Sequence, residues 1–135
     1  MAEVDLNQTI ELFMALTDRF TAMRGVKVDL QLPEIPISIR TAPFFLANLL
    51  WLCLDFCMTA SGDEKRVELV VAETENSVQI RFQRLAGLTE EQLKTFPSDR
   101  EKNLLAVLGA DLTAEPESEE VVVRLSKNMD HSFSR

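Results

Sequence analysis

Apolar side chains recur at three- and four-residue steps along the first part of the chain, which is the spacing of one face of an α-helix. The predicted apolar face comprises Leu6, Ile10, Phe13, Thr17, Phe20 and Met23. Asp5 and Gln8 are typical of a capped helix start, and Gly25 is typical of a helix end. Residues 26–32 then alternate between apolar and polar side chains, the period of a strand with one buried face. The chain is therefore predicted to open with a helix and a strand.

A second and more apolar helix is predicted over residues 42–58, where Asn48 and Asp55 are the strongly polar interruptions. A helix of this composition is expected to be buried on nearly all sides, and Thr41 is a suitable cap at its start. A membrane span needs about 20 clean apolar residues, whereas this stretch contains an acid, an amide and a proline. We therefore expect the core helix of a soluble domain.

The remaining segments predict further strands and two short helices. Extended structure is expected over 37–40, hairpins are expected from 67–72 with 78–82 and from 111–114 with 121–125, and helices over 88–96 and 99–108. Ser98 or Asp99 would cap the last helix, and Gly109 would end it. This order predicts an α+β fold class: a two-layer α/β sandwich, in which a mixed sheet has helices on one face. Residues 1–126 form the single predicted domain, and residues 127–135 are predicted to be a flexible polar tail.

The charge and the cysteines of the chain exclude several classes of function. With 135 residues, a formal net charge of −8 and a pI near 4.7, it lacks the surplus of Lys and Arg that nucleic acids and anionic membranes require. Its acidic first residues do not resemble a secretory signal. Cys53 and Cys57 are expected to be buried, reduced thiols, and with His131 they supply too few ligands for a metal site. A cytoplasmic protein is the expectation.

Several segments together resemble the ATP-binding domain of sensor histidine kinases, part of the superfamily that also holds gyrase, a heat-shock chaperone and the mismatch-repair ATPases. Residues 4–7 resemble the opening of that domain's first helix, and residues 28–33 resemble its first strand. Residues 46–50 resemble the start of its nucleotide-contacting helix, and residues 109–125 are similar to its terminal hairpin. The resemblance covers most of the chain and implies the same fold.

The magnesium motif that the resemblance implies is incomplete. In the family the helix reads Asn-Leu-Leu-x-Asn-Ala, and the second Asn binds the magnesium ion that bridges the triphosphate. Asn48 matches the first Asn, but the second falls on Leu52, which offers no oxygen to a cation that takes oxygen ligands. Where the family often has a basic residue, Asp55 would repel a triphosphate. The resemblance therefore implies a helix that no longer binds magnesium.

The adenine motif and the phosphate cradle also depart from the family. Its Asp-x-Gly-x-Gly follows a strand and reads the adenine ring, whereas here the Asp aligns with Gln83 and only Gly87 survives. A glycine-rich stretch opening the last helix would cradle phosphate, but the other three glycines of this chain lie in predicted turns. The mobile lid is shortened to residues 89–98. We expect no cofactor, with ATP and magnesium as the alternative.

Two polar residues leave alternatives open. Asn48 and Asp55 would line the former nucleotide cleft, either as a remnant pocket for a different small ligand or bonded to a neighbour such as Arg84. The bonded state is favoured, because a buried polar group must find a partner. His131 is not expected to accept phosphate, because it lies in the tail and not on the helical hairpin that carries the phosphoacceptor in these systems.

Phe44, Phe45 and Trp51 exceed what one buried helix stripe requires. Packing in the core is the favoured interpretation, and an aromatic patch that faces a partner is the alternative. The favoured hypothesis is a non-catalytic interaction module of bacterial two-component signalling, which docks a protein such as a response regulator or a kinase. One alternative is an ATP-binding kinase or ATPase, of histidine kinase or anti-sigma-factor type, with diverged nucleotide motifs. The other is an unrelated α+β domain that binds a small ligand and has a different strand order. A homodimer is left open.

Overall fold

The computed structural model describes residues 2–127, and the helices and strands of the fold lie within this part of the chain. Its α-helices are α1 (Leu6–Met23), α2 (Pro43–Ala60) and α3 (Asp99–Leu108). Its strands are β1 (Ala2–Asp5), β2 (Lys27–Gln31), β3 (Ser38–Thr41), β4 (Arg66–Glu73), β5 (Ser77–Gln83), β6 (Asp111–Glu115) and β7 (Glu120–Ser126). Short 3₁₀ turns lie at Gly62–Glu64 and Gln92–Lys94. Apart from residue 127, the predicted tail, with His131, lies outside the described residues.

The strands form a five-stranded mixed sheet in the order β2-β4-β5-β7-β6. β2 runs parallel to β4, and the other neighbouring strands are antiparallel. Both predicted hairpins are present, and the predicted α+β sandwich is confirmed. A separate antiparallel pair joins β1 to β3. β1 is not predicted from the sequence, because its four residues are too few to show a strand period and its partner is distant along the chain.

The helices cover one face of this sheet. The inward side chains of the two central strands are Val67, Leu69, Val71, Val78, Ile80 and Phe82. They alternate with half-buried residues, as expected for strands with one face in a core. Against them α2 buries Leu46, Leu49, Leu50, Cys53, Leu54 and Cys57, which recur at three- and four-residue steps. The prediction that this helix forms the core is confirmed.

The outer side of α2 is open, so the prediction that α2 is buried on nearly all sides is wrong. Phe44 is 73% exposed and Phe45 is 41% exposed, and both Asn48 and Asp55 are exposed. Packing on one face of a sheet covers one side of a helix, and apolar side chains outside that contact can remain in water. Within residues 2–127, α2 is the helix whose length and apolarity would allow it to cross a membrane. The sheet accounts for the apolar character of its inner side.

The buried face of α1 also differs from the prediction. Phe20 is 50% exposed and Met23 is 77% exposed, while Thr21 is buried in their place. The hydroxyl groups of Thr17 and Thr21 donate to backbone oxygens of the same helix, at 3.0 Å to Phe13 O and 2.9 Å to the preceding turn. Because these bonds satisfy the hydroxyl groups, threonine can enter the core at this end of the helix.

The helix ends follow the predicted caps in part. The Asp5 carboxylate accepts a hydrogen bond from the Gln8 N–H at 3.0 Å, as predicted. Thr41 does not cap α2, because it is the last residue of β3 and is buried there. Pro43 begins α2 after a start that has no side-chain cap, which suits proline because it has no N–H to satisfy. Gly109 ends α3 in the left-handed conformation, as predicted.

The helix predicted over residues 88–96 is absent. This segment is a loop with the 3₁₀ turn Gln92–Lys94, and both Leu88 and Phe96 are buried in the core. A segment this short is marginal as an isolated helix. The core contacts at its two ends, rather than its helical composition, therefore decide its path.

Replacing a core phenylalanine should lower the free energy of unfolding much more than replacing an exposed one. Phe82→Ala is expected to lower the free energy of unfolding by about 3–5 kcal/mol, because Phe82 is fully buried. Phe44→Ala is the matched control, with an expected change within about 0.5 kcal/mol. Urea denaturation followed by circular dichroism measures both, and equal losses would contradict this assignment of the core.

Candidate functional site

Asn48, Leu52 and Asp55 lie on successive turns on the outer side of α2, as their spacing predicts. Asn48 and Asp55 are exposed, and Leu52 is half-buried. Two hollows adjoin this side of the helix, and Leu52 lines both of them. The centre of the candidate site is therefore a side chain without any polar atom.

The first hollow, here called the loop-side hollow, has a volume of about 310 Å³. It lies between the C-terminal half of α2, the loop that follows β5 and the start of α3. Its lining residues are Leu52, Asp55, Phe56, Thr59, Gln92, Thr95, Phe96, Ser98, Arg100 and Glu101. The Phe96 ring stacks on the Phe56 ring, with centroids 3.9 Å apart and planes inclined by 5°. This aromatic contact holds the loop directly against α2.

The second hollow, here called the aromatic hollow, has a volume of about 350 Å³ and lies between the N-terminal half of α2 and α3. Its lining residues are Phe45, Asn48, Trp51, Leu52, Arg100, Asn103 and Leu104. Among these residues Arg100 carries the single formal charge, and two side-chain amides accompany it. The aromatic hollow therefore suits an apolar group that has an acceptor or a negative charge beside it.

Asp55 forms an ion pair with Arg24, which follows the last residue of α1. The same guanidinium group donates to Thr59 Oγ1 at 3.0 Å, so it spans one turn of α2. The partner suggested from the sequence, Arg84, is wrong. Asp55 is exposed and not buried, and the end of α1 brings Arg24 beside it. The negative charge of Asp55 is thus paired within the chain.

The start of α3 is closed by a carboxylate of the chain itself. Glu101 is 3% exposed, and its Oε1 accepts hydrogen bonds from the Ser98 N–H and the Ser98 hydroxyl, both at 2.7 Å. Asp99 places a second carboxylate in the same first turn. Negative groups are stabilised at a helix N-terminus by the exposed N–H groups and the helix dipole. Here that position is already occupied by acidic side chains.

Gln83 lies apart from these residues. It is the last residue of β5, where alternate side chains such as Phe82 point into the core, so Gln83 lies on the sheet face opposite the helices. Its amide donates to Glu120 Oε1 at 3.3 Å, and Glu120 also pairs with Arg81 at 3.0 Å. The structure therefore does not bring Gln83 together with Asn48, Leu52 and Asp55.

Gly87 is required by a close approach of two backbone segments. Its N–H donates to Ala60 O at 2.8 Å, where the loop after β5 crosses the end of α2. A Cβ atom at this position would lie 2.9 Å from Gly62 Cα and 3.0 Å from Ala60 O. Both neighbours are backbone atoms and have little room to move. Packing within the chain thus accounts for this glycine.

Comparison with known proteins gives a match in fold. No protein-family model and no curated protein matches the sequence. The catalytic domain of histidine kinase ThkA superposes with a TM-score of 0.75, at 10% identity over 96% of this chain and 97% of that chain. This chain has the fold of a histidine kinase ATP-binding domain. The match overturns the alternative of an unrelated α+β domain with a different strand order.

Two further solved structures share the histidine kinase fold. The ATP-binding domain of PrrB from Mycobacterium tuberculosis matches with a TM-score of 0.69, at 18% identity over 93% of this chain and 96% of that chain. Histidine kinase ThkA in complex with the response regulator protein TrrA matches with a TM-score of 0.76, at 12% identity over 96% of this chain and 42% of that chain.

Within this histidine kinase fold, several residues of the site were missed from the sequence. Arg24, Phe96 and Glu101 are distant from α2 along the chain, and their contacts depend on how the elements pack. Glu101 carried a readable signal, because Ser98 and Glu101 have the spacing of a capping box. Arg24 and Phe96 carried none. The favoured prediction that the three aromatic residues pack in the core is wrong for Phe44 and Phe45, which are exposed, while Trp51 is half-buried.

Cys53 and Cys57 are free and buried, as predicted. Burial raises the pKa of both thiols, and the nearby charge of Glu101 raises the pKa of Cys53 further. A raised pKa keeps a thiol protonated at neutral pH and therefore unreactive. Across residues 2–127, no group of three or more His, Cys, Asp or Glu side chains is arranged to hold a metal ion.

Adding one methyl group at Gly87 should strain the contact between the loop and α2. Gly87→Ala is expected to lower the free energy of unfolding by about 1–3 kcal/mol, the usual range for overpacking. Ala86→Ser, at an exposed neighbouring position, is the control and should change the free energy by less than about 0.5 kcal/mol. Thermal and urea unfolding measure both changes. A Gly87→Ala protein as stable as the control would mean that the two segments are not in close contact.

Proposed function

We propose that this chain is a non-catalytic interaction module that uses the histidine kinase ATP-binding fold and has lost the binding of ATP and magnesium. Its task would be to dock a protein partner in bacterial two-component signalling. The proposal rests chiefly on the start of α3, with support from α2 and from the loop after β5.

The observation that carries the proposal is the buried carboxylate of Glu101 at the start of α3. In the nucleotide-binding members that the sequence resembles, a glycine-rich stretch opens this helix and leaves its N–H groups for phosphate. Here Ser98 donates both of its polar hydrogens to Glu101, and Asp99 adds a second negative charge. A triphosphate would meet two carboxylates in place of a positive helix end, and like charges at such distances repel.

The outer side of α2 supports the same interpretation. Leu52 lies between Asn48 and Asp55, where the resemblance would require a magnesium-binding Asn. A leucine side chain cannot coordinate a cation that binds oxygen. Asp55 presents a carboxylate to the loop-side hollow, and Arg24, the cation that pairs with it, also bonds to Thr59. Leu52 therefore offers no ligand to a magnesium ion, and the cation nearest to Asp55 is already paired within the chain.

The loop after β5 offers little to an adenine ring. The position of the adenine-reading Asp is taken by Gln83, whose side chain bonds to Glu120 on the opposite face of the sheet. Gly87 is used in contact with Gly62 and Ala60. The stack of Phe56 on Phe96 fills space between α2 and the loop. The rings of Phe56 and Phe96 are therefore already in contact with each other.

The choice of a protein partner in two-component signalling rests on the fold and on the exposed aromatic side chains. ThkA, whose domain has the same fold, is found in complex with the response regulator TrrA. Phe44 and Phe45 remain in water on α2, and exposed apolar side chains in one region are typical of protein interaction sites. A response regulator or a kinase is the proposed class of partner, and the cytoplasm is the proposed location.

One observation favours a second candidate, an ATP-binding kinase or ATPase with diverged motifs. The loop-side hollow remains open to about 310 Å³, and Arg100 lines it. A guanidinium group can bind a phosphate group through two parallel hydrogen bonds. In this candidate Arg100 would replace part of the lost magnesium site.

Titration with a fluorescent ATP analogue separates the two candidates. Anisotropy of the analogue is recorded against protein concentration with magnesium and with a chelator, and the ATP-binding domain of PrrB is the positive control. We expect no magnesium-dependent binding up to millimolar concentrations, because the first turn of α3 and Asp55 present carboxylates to the nucleotide. Unlabelled ATP must compete with the analogue, since the dye itself can bind to apolar surface.

Two variants sharpen the result. Arg100→Gln should leave the titration unchanged if the chain binds no nucleotide, and should abolish binding if the second candidate is correct. Micromolar binding that unlabelled ATP competes away, with or without magnesium, and that is lost in Arg100→Gln would overturn the proposed function. Lys102→Gln, at an exposed position of the same helix, is the matched control for the loss of a positive charge.

A further inference from the structure

A stripe of apolar side chains on α1 is largely exposed to water. The α1 stripe consists of Leu12, Leu16, Phe20 and Met23, which are 60%, 68%, 50% and 77% exposed. Their steps of four, four and three residues place them along one line of the helix surface. Burial of such side chains is worth roughly 1.5–3 kcal/mol each, so leaving four of them in water on one line is the usual mark of an interaction surface.

The α1 stripe continues onto α2. Phe20 contacts Trp51, with ring centroids 5.7 Å apart and planes inclined by 59°. Trp51 also lines the aromatic hollow, together with Phe45 and Leu104. The α1 stripe, Trp51 and the aromatic hollow therefore form one continuous apolar surface, here called the apolar band. The apolar band runs along α1 and ends in the aromatic hollow between α2 and α3.

Two exposed arginines lie beside the apolar band, although the chain as a whole carries −8. Successive residues of an α-helix are rotated by about 100° around its axis. Around the axis of α1, Arg19 therefore lies within about 60° of the centre of the α1 stripe, whereas Glu11 and Asp18 lie more than about 120° from it. Arg100 lines the aromatic hollow, and that lining contains no carboxylate. Arg19 and Arg100 are both exposed. Asp55 lies one turn beyond Trp51 on α2, and its carboxylate is paired with Arg24. Arg19 and Arg100 therefore supply positive charge beside this apolar surface of an acidic protein.

We propose that the apolar band binds an acidic amphipathic helix of a partner protein. The partner's apolar residues, spaced at three and four positions, would lie along the α1 stripe, and one bulky side chain would enter the aromatic hollow. Carboxylates on the flanks of that helix would face Arg19 and Arg100. This inference rests on the proposed function and specifies the chemistry of the partner.

A second copy of this chain fits the band less well. Its α1 stripe would bring Arg19 with it, so that both helices of the contact would present the same positive charge. Each copy would also add a net charge of −8 to the assembly, and like net charges oppose association. An acidic helix supplies the opposite charge to both arginines.

Trp51 provides a direct measurement, because it is the single tryptophan of the chain. Three designed helical peptides without tryptophan share one Leu and Phe face and carry Glu, Gln or Lys on the polar face. Titration of each peptide into the protein is followed by Trp51 fluorescence. We expect the Glu peptide to bind most tightly and the Lys peptide most weakly, and added salt should weaken the binding of the Glu peptide.

Substitutions locate the contact. Leu16→Glu is expected to weaken binding of the Glu peptide by about tenfold or more, because it places a charge in the apolar contact. Thr113→Glu is the matched control: it adds the same charge at an exposed position of β6, at the sheet edge remote from β2, and should have no effect. Arg19→Glu should reduce the preference for the Glu peptide over the Lys peptide.

Several results would overturn the inference. These are an equal affinity for all three peptides, a preference for the Lys peptide, no binding of the Glu peptide below millimolar concentration, or no effect of Leu16→Glu. A dimer in light scattering that Leu16→Glu disrupts would assign the band to a second copy, and binding to phosphatidylcholine vesicles would assign it to a membrane. If the peptides do not bind and the ATP titration also shows no binding, this inference alone is wrong and the proposed function stands. If the titration shows magnesium-dependent ATP binding, the proposed function is wrong.

Discussion

The packing of α2 on the five-stranded sheet is the constraint on which the rest of the structure depends. The helix buries Leu46, Leu50 and Leu54 against the inward side chains of β4 and β5, and these contacts fix its rotation about its own axis. That rotation decides which residues face outward, and so it places Asn48 and Asp55 beside the two hollows. The chemistry of the site therefore follows from a contact that involves only apolar side chains.

The strands and α2 could be predicted from the sequence, but the direction in which α1 faces could not. Alternation in β4 and β5 and the apolar run of α2 are local patterns, and local patterns are what periodicity can detect. The direction in which α1 faces is not local. Thr17 and Thr21 are buried because helix carbonyl groups satisfy their hydroxyls, and Phe20 remains outside beside Trp51. A hydrophobicity pattern assigns Phe20 and Thr21 the other way round.

The site could be predicted only where its residues share one helix. Asn48, Leu52 and Asp55 follow from spacing alone, and the structure places them on one side of α2. Gln83 was assigned by alignment to a motif, but the pleat of β5 turns its side chain to the opposite face of the sheet. Arg24 and Phe96 join the site through tertiary contacts that have no signature in the sequence. Residues contributed by distant elements are therefore the part of a site that sequence patterns miss.

The stack of Phe56 on Phe96 ties the loop after β5 to α2. A loop that is ordered by a bound ligand can report the presence of that ligand through its conformation. Here the loop after β5 is held by an aromatic contact within the chain, and Phe96 is 7% exposed. Moving the loop away from α2 would expose both rings to water, so the position of the loop is set by a contact within the chain.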